Sequence, residues 1–178
     1  MMSLSLLIFC SFILYSVMVT PNIAFGSAIE PETIRVGSAP YDVAVNTTTN
    51  KIYVTSSNAD YVSVIDGRTN EIVSNMKVGS NPAGIAVDTY RDTIYVASLE
   101  SGISVIDGET NEIVGEVRVG YEPVHVVVNA DSSMIYASNP GCNCIHVIEP
   151  LTNRILTNVT SDGSPWGLAV RPDNRNPY

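Results

Sequence analysis

Positive charge is what this chain is shortest of. Lysine and arginine number 9 against 18 aspartates and glutamates, for a formal net charge of -9. No run of basic residues exists, and phosphate contacts need clustered positive charge, so nucleic acid is not an expected partner. Histidine is limited to two residues and cysteine to three. The chain has no Gly-x-Ser-x-Gly, no His-Glu-x-x-His and no phosphate loop, so no catalytic set and no cofactor are expected. Outside the first thirty or so residues no stretch keeps a helical period. Charged residues are 15% of the chain and hydrophobic ones 45%, which excludes a disordered tail, and 178 residues suffice for one domain. The acidity itself reads as a solvated surface.

Residues 1–29 carry no charged side chain, and Leu4 to Val19 is nearly continuous apolar sequence. Pro21 breaks the run, and the small residues Ala24, Gly26, Ser27 and Ala28 follow. Residues 1–28 are therefore expected to form an apolar export helix: a signal peptide cleaved after Gly26 or Ala28, or an N-terminal membrane anchor if uncleaved. Met1-Met2-Ser3 departs from the signal pattern by lacking Lys or Arg. The run Leu4 to Val19 is somewhat short against a span of about 20 residues but can be extended through Phe25, so the membrane contact of an anchor would be limited to residues 4–25. Leu7-Ile8-Phe9-Cys10 is a lipoprotein box only superficially, with Phe9 where a small residue is needed. Either way the rest of the chain is placed outside the cytoplasm, as a secreted, periplasmic or cell-surface protein.

What is abundant is repetition. Ile52-Tyr53-Val54-Thr55 returns as Ile94-Tyr95-Val96-Ala97 and as Ile135-Tyr136-Ala137-Ser138. Pro40, Pro82, Pro123 and Pro165 are spaced 42, 41 and 42 residues apart. Aligned on them, Asp66, Asp107 and Glu149 correspond, as do Asn70, Asn111 and Asn153. Each unit holds four short runs rich in Val, Ile and Tyr, residues that suit a pleated, buried surface. In the first unit they are Asp42–Val45, Lys51–Ser56, Tyr61–Ile65 and Glu71–Val78. In the second they are Gly84–Val87, Thr93–Ser98, Gly102–Ile106 and Glu112–Val119. In the third they are His125–Val128, Met134–Ser138, Cys144–Ile148 and Arg154–Val159. The connections are rich in Asp, Asn, Gly and Thr, which suit turns. Four antiparallel strands per unit of about 40 residues is the pattern of a β-propeller blade. The expected fold is all-β.

The recurring Pro-x-Gly-Ile-Ala-Val-Asp (Pro82 to Asp88), Ile-Tyr-Val-Thr/Ala, Val-Ile-Asp-Gly-x-Thr-Asn-Glu-Ile-Val and Val-Gly-x-x-Pro resemble the YVTN-type β-propeller repeat. That repeat is known from archaeal surface-layer proteins and bacterial periplasmic proteins. The resemblance covers about residues 33–170 and is specific for fold rather than function, because propellers host many functions. It implies a partial propeller over residues 29–178. Blades fall at about 38–79, 80–120 and 121–162, with partial strands at 29–36 and 166–178. Closed propellers have about 4–8 blades. The expectation is a truncated copy of a longer propeller, or a chain that self-associates to complete a ring.

Candidate sites fall where the repeats disagree. The residues after the repeated proline read Tyr41-Asp42, Ala83-Gly84, Val124-His125 and Trp166-Gly167. In a propeller they open the innermost strand, so Tyr41, Asp42, His125 and Trp166 would line one channel mouth as a small-molecule or glycan contact set. The plainer reading is that they only pack the rim. His146 stands where the other units have Ser63 and Ser104, behind Cys142 and Cys144. Two thiolates and an imidazole on one strand face could grip a soft metal. A disulfide or unpaired thiols are the alternatives, and Pro140-Gly141 signals a turn that takes Cys142 off the strand. Asn46 and Asn158 begin glycan acceptor triplets. The Asp-Gly-x-Thr-Asn turns lack the alternating carboxylates of a calcium loop.

Nitrous-oxide reductase propellers hold copper through many histidines, which two histidines cannot match. The leading reading is an exported, non-enzymatic module that binds a protein or glycan at the cell surface. The alternatives are a lactonase- or hydrolase-like propeller enzyme with its site completed by a partner chain, and a metal-binding periplasmic protein.

Overall fold

The computed structural model describes residues 33–129 and 134–171. Twelve strands form three four-stranded antiparallel sheets, each built in chain order. The first comprises β1 (Pro40–Asn46), β2 (Lys51–Ser56), β3 (Tyr61–Asp66) and β4 (Ile72–Lys77). The second comprises β5 (Pro82–Asp88), β6 (Thr93–Ser98), β7 (Gly102–Asp107) and β8 (Ile113–Val117). The third comprises β9 (His125–Asn129), β10 (Met134–Asn139), β11 (Cys144–Glu149) and β12 (Arg154–Thr160). The expected runs are therefore all strands. The outer ones stop short of Val78 and Val119; the Val78 amide leaves the ladder for the Asp60 carbonyl at 3.0 Å.

Repetition extends to the irregularities. The pairing of third with outer strand slips at Val64/Ile65, Val105/Ile106 and Val147/Ile148, the same place in each sheet. Asn70, Asn111 and Asn153 all take left-handed backbone, with φ of 60°, 59° and 55°. The turn acids act as the sequence suggests. Asp66 Oδ1 accepts from the amides of Arg68 and Thr69, and Asp107 Oδ1 from those of Glu109 and Thr110. These bonds hold the Asp107 carboxyl below its usual range, the Thr110 amide contributing most.

The sheets stack like propeller blades, with the first strands adjacent: β1 lies beside β5, and β5 beside β9. Residues two apart in a strand share a face. In β2 and its counterparts this puts the tyrosine on one face and the isoleucine on the other. Tyr53, Val62, Val64 and Met76 of the first sheet pack on Ile85, Ile94, Val96 and Ile106 of the second. Tyr95, Ala97, Ile103 and Val105 of the second pack on Val126, Ile135, Ala137 and Ile148 of the third. Burial raises the Tyr53 and Tyr95 hydroxyls to about 12, helped by the charges of Asp92 and Asp88 respectively.

Tyr136, which stands at the same place in its unit as these two, is only half-buried. No further sheet lies on its face among the described residues. Leu168, Ala169 and Val170 line one cavity with Tyr136 and Ile145. At the other end, the isoleucine face of the first sheet leaves Val43 58% and Val45 49% exposed.

The expected end strands differ from the reading. Residues 33–36 form no strand and residues 29–32 lie outside the described ones. Residues 167–170 form no ladder either, yet they occupy the fourth inner position through two bonds to the third sheet. Ser138 Oγ donates to the Trp166 carbonyl at 3.0 Å and the Leu168 amide to His125 Nδ1 at 3.2 Å. The export segment lies outside the described residues, and among those no helix is long and apolar enough to cross a membrane.

Tyr95, sandwiched between two sheets, gives a direct check on this stacking. Tyr95→Ala should cost about 3–5 kcal/mol in chemical denaturation, the range for a buried aromatic. A loss under about 1 kcal/mol would mean the tyrosine face is not covered.

Candidate functional site

The inner-strand rim is assembled by one recurring device. A side chain at the second position after the repeated proline reaches sideways to a backbone amide of the next unit. Asp42 Oδ2 accepts from the Ile85 amide at 3.0 Å, while its Oδ1 accepts from the Val43 amide at 2.8 Å. His125 Nδ1 accepts from the Leu168 amide in the corresponding place. Gly84, between them, has no side chain to offer, and its own amide donates to the Val124 carbonyl at 2.8 Å. A Cβ on Gly84 would lie 2.7 Å from both the His125 Cα and the Val124 carbonyl oxygen, so only glycine fits. A second set of latches runs from the second strands, β2 and β10, to the same neighbouring units. Thr55 Oγ1 donates to the Ala83 carbonyl at 2.7 Å, as Ser138 Oγ does to that of Trp166.

The missing Gly84 side chain brings Asp42 and His125 together across the second sheet. Asp42 Oδ2 stands 3.9 Å from His125 Nε2, and both side chains are half-buried. Because Nδ1 accepts from Leu168, the neutral ring carries its proton on Nε2, facing the carboxylate. Tyr41 and Trp166, the other two residues after the repeated prolines, are 54% and 62% exposed. Of the four residues expected at a channel mouth, Asp42 and His125 are half-buried links between units, and Tyr41 and Trp166 are exposed. Sequence reasoning did not foresee Gly84 as the gap that lets the carboxylate and the imidazole meet.

The second candidate set lies on the third strand of the third sheet. Cys142 ends the 3-10 turn Pro140–Cys142, off the strand as the Pro-Gly signal suggested, and Cys144 opens β11. The two are joined as a disulfide with Cα atoms 5.2 Å apart. His146 is buried behind them, its Nε2 3.9 Å from Cys142 Sγ and 3.7 Å from Cys144 Sγ. Its Nδ1 lies 2.7 Å from Asn158 Oδ1, and Asn139 Nδ2 lies 3.3 Å from Nε2.

The two glycan candidates separate. Asn158 is exposed on β12. Asn46 is fully buried, contrary to the expectation of an acceptor: its Nδ2 donates to Asp92 Oδ1 at 2.6 Å and its Oδ1 caps the turn through the Thr48 and Thr49 amides. A glycan on that nitrogen is incompatible with this packing.

No protein-family model matches the chain, and no curated protein matches it. Among solved structures it is similar to hydrazine synthase of Kuenenia stuttgartiensis, with a TM-score of 0.67 and 20% identity over 80% of this chain. The chain spans 41% of the length of that protein. The likeness is one of fold, and it supports a β-propeller-like, all-β architecture.

If the Asp42 carboxylate links two sheets, Asp42→Ala strands the amide of buried Ile85 and should cost about 1–3 kcal/mol in urea denaturation. Asp42→Asn keeps an acceptor oxygen and should lose less. Equal stability of Asp42→Ala and the native chain would show that the link contributes nothing.

Proposed function

We propose that this chain is an exported, non-enzymatic module of the YVTN-type propeller class that binds a protein or glycan ligand outside the cytoplasm. The observation that carries the reading is the inner-strand set: Tyr41 and Trp166 are exposed, and the chain neighbour of Tyr41, Asp42, stands 3.9 Å from His125. Exposed aromatic faces offer contact area to the apolar C–H faces of a sugar ring. The carboxylate and imidazole supply an acceptor and a donor for hydroxyls. The apolar stretch of residues 1–28 supports export, as a signal or an anchor. The hydrolase alternative is less favoured. The Nδ1 lone pair of His125 is already taken by the Leu168 amide, and the hydroxyl of Ser138 is turned to the Trp166 carbonyl rather than to the ring.

Self-association belongs to the same proposal. Each internal interface mates a tyrosine face with an isoleucine face. The described residues leave one face of each kind without a covering sheet. A second copy offers the complementary faces in a head-to-tail arrangement. Exposed apolar sheet faces of this kind favour association.

Glycan-array and ligand-panel screening of the purified protein tests the rim. The double substitution Trp166→Ala/His125→Ala should weaken the ligand found by about tenfold or more, equivalent to 1.4 kcal/mol, with an unchanged circular dichroism spectrum. Unchanged affinity removes the rim from consideration. Light scattering tests the association. The expected outcome is a concentration-dependent oligomer that Val43→Asp/Val45→Asp dissociates, and a stable monomer at all concentrations would refute it.

A further inference from the structure

We infer that Cys142, Cys144 and His146 form a redox-gated site for a thiophilic cation, closed while the disulfide stands and opened by its reduction. This inference is independent of the rim. All three ligand atoms lie within 4.8 Å of one another. In a tetrahedral zinc site, with metal–sulfur bonds near 2.3 Å and metal–nitrogen bonds near 2.0 Å, sulfur and nitrogen are about 3.6 Å apart and two sulfurs about 3.8 Å apart. The imidazole nitrogen already stands 3.9 and 3.7 Å from the two sulfurs. What must change is the sulfur–sulfur separation and the Asn139 contact to Nε2.

The imidazole is oriented for ligation. Asn158 Oδ1 can only accept, so Nδ1 carries the proton and donates to it at 2.7 Å. Nε2 is therefore the ring's acceptor; the Asn139 amide nitrogen lies 3.3 Å from it and the two sulfurs 3.9 and 3.7 Å, so a cation takes this lone pair by displacing the Asn139 contact. Metal-binding imidazoles are characteristically fixed in this way by a carbonyl or carboxylate on the far nitrogen. The scaffold is inherited from the repeat. In the first sheet Ser63 Oγ donates to Asn75 Oδ1 at 2.9 Å, and Ser63 pairs with Asn75 as His146 pairs with Asn158. The third sheet keeps the asparagine and replaces the serine. It also has cysteines where the first sheet has Ala59 and Tyr61 and the second Glu100 and Gly102. Independent drift would scatter; these three departures converge on one point.

Cys144 and His146 are buried while Cys142 is exposed, so reductant and cation enter at Cys142. A dithiol reductant attacks Cys142 Sγ through one thiolate, and the electron pair of the broken S–S bond leaves on Cys144 Sγ. Its second thiol resolves the mixed disulfide and departs as a disulfide, leaving two thiols on the protein. The cation then replaces both thiol protons, which pass to solvent, and takes the Nε2 lone pair as its third ligand. Two-electron oxidation by an incoming disulfide reverses the sequence and frees the cation.

The test uses the full chain in a Cys10→Ser background with Co2+ as probe. The reduced protein should bind one Co2+ with a sulfur-to-cobalt charge-transfer band that Zn2+ abolishes, and the oxidised protein should show none. His146→Ser restores the residue of the other two sheets, so the fold is retained, as circular dichroism will verify. It should weaken Co2+ binding about tenfold or more, and Asn158→Ala, which loosens the imidazole, should do so by about 10–100-fold. Absence of the band in the reduced chain overturns the inference. So does an undiminished affinity in His146→Ser, which would leave only adventitious binding by the two thiols.

Discussion

The contact between unlike sheet faces governs this structure. Tyrosine, valine and alanine on one side of a sheet meet isoleucine and valine on the facing side of the next, and the same match recurs at both interfaces. A buried tyrosine removes roughly 150–250 Å² from water, the largest single contribution a side chain here can make. The stacking also sets the distance between inner strands. That distance decides whether an Asp42 carboxylate can reach an Ile85 amide and whether anything larger than hydrogen fits at Gly84. The rim is therefore a product of the core.

Much of the fold was legible because two signals agreed. The proline period set the unit length, and the β-branched runs between turn residues set the strands. What was not legible depended on partners far along the chain. Asn46 looks like a glycan acceptor in its own triplet, and its burial comes from Asp92 in the next unit. Tyr136 matches Tyr53 and Tyr95 residue for residue, yet its exposure depends on what lies against its sheet. The residues before the repeated prolines, Ala39, Asn81 and Glu122, take φ of 54°, 53° and 68°. Asparagine tolerates that conformation, but nothing about alanine or glutamate announces it.

The candidate sites were found through disagreement between repeats, and the structure explains why that search worked for composition and not for geometry. A departure such as His146 for Ser63 is visible in an alignment of the units. That the imidazole would keep the bond to the outer-strand asparagine, and so hold a fixed tautomer, requires the register of the β11–β12 pair. Cys142 illustrates the opposite case: its position off the strand could be read from Pro140-Gly141 alone.

The order in which side chains alternate around the inner strands has one more effect. A propeller of identical units is rotationally degenerate, so whatever sits on its axis sees the same surroundings at every step of the ring. Here the sequence of positions is carboxylate, nothing, imidazole, nothing, at Asp42, Gly84, His125 and Gly167. No rotation by one unit superposes that pattern on itself. The near-equivalent repeats thus carry a compass direction, and a molecule bound on the rim, as proposed, would have a single rotational setting in which its own donors and acceptors find their complements.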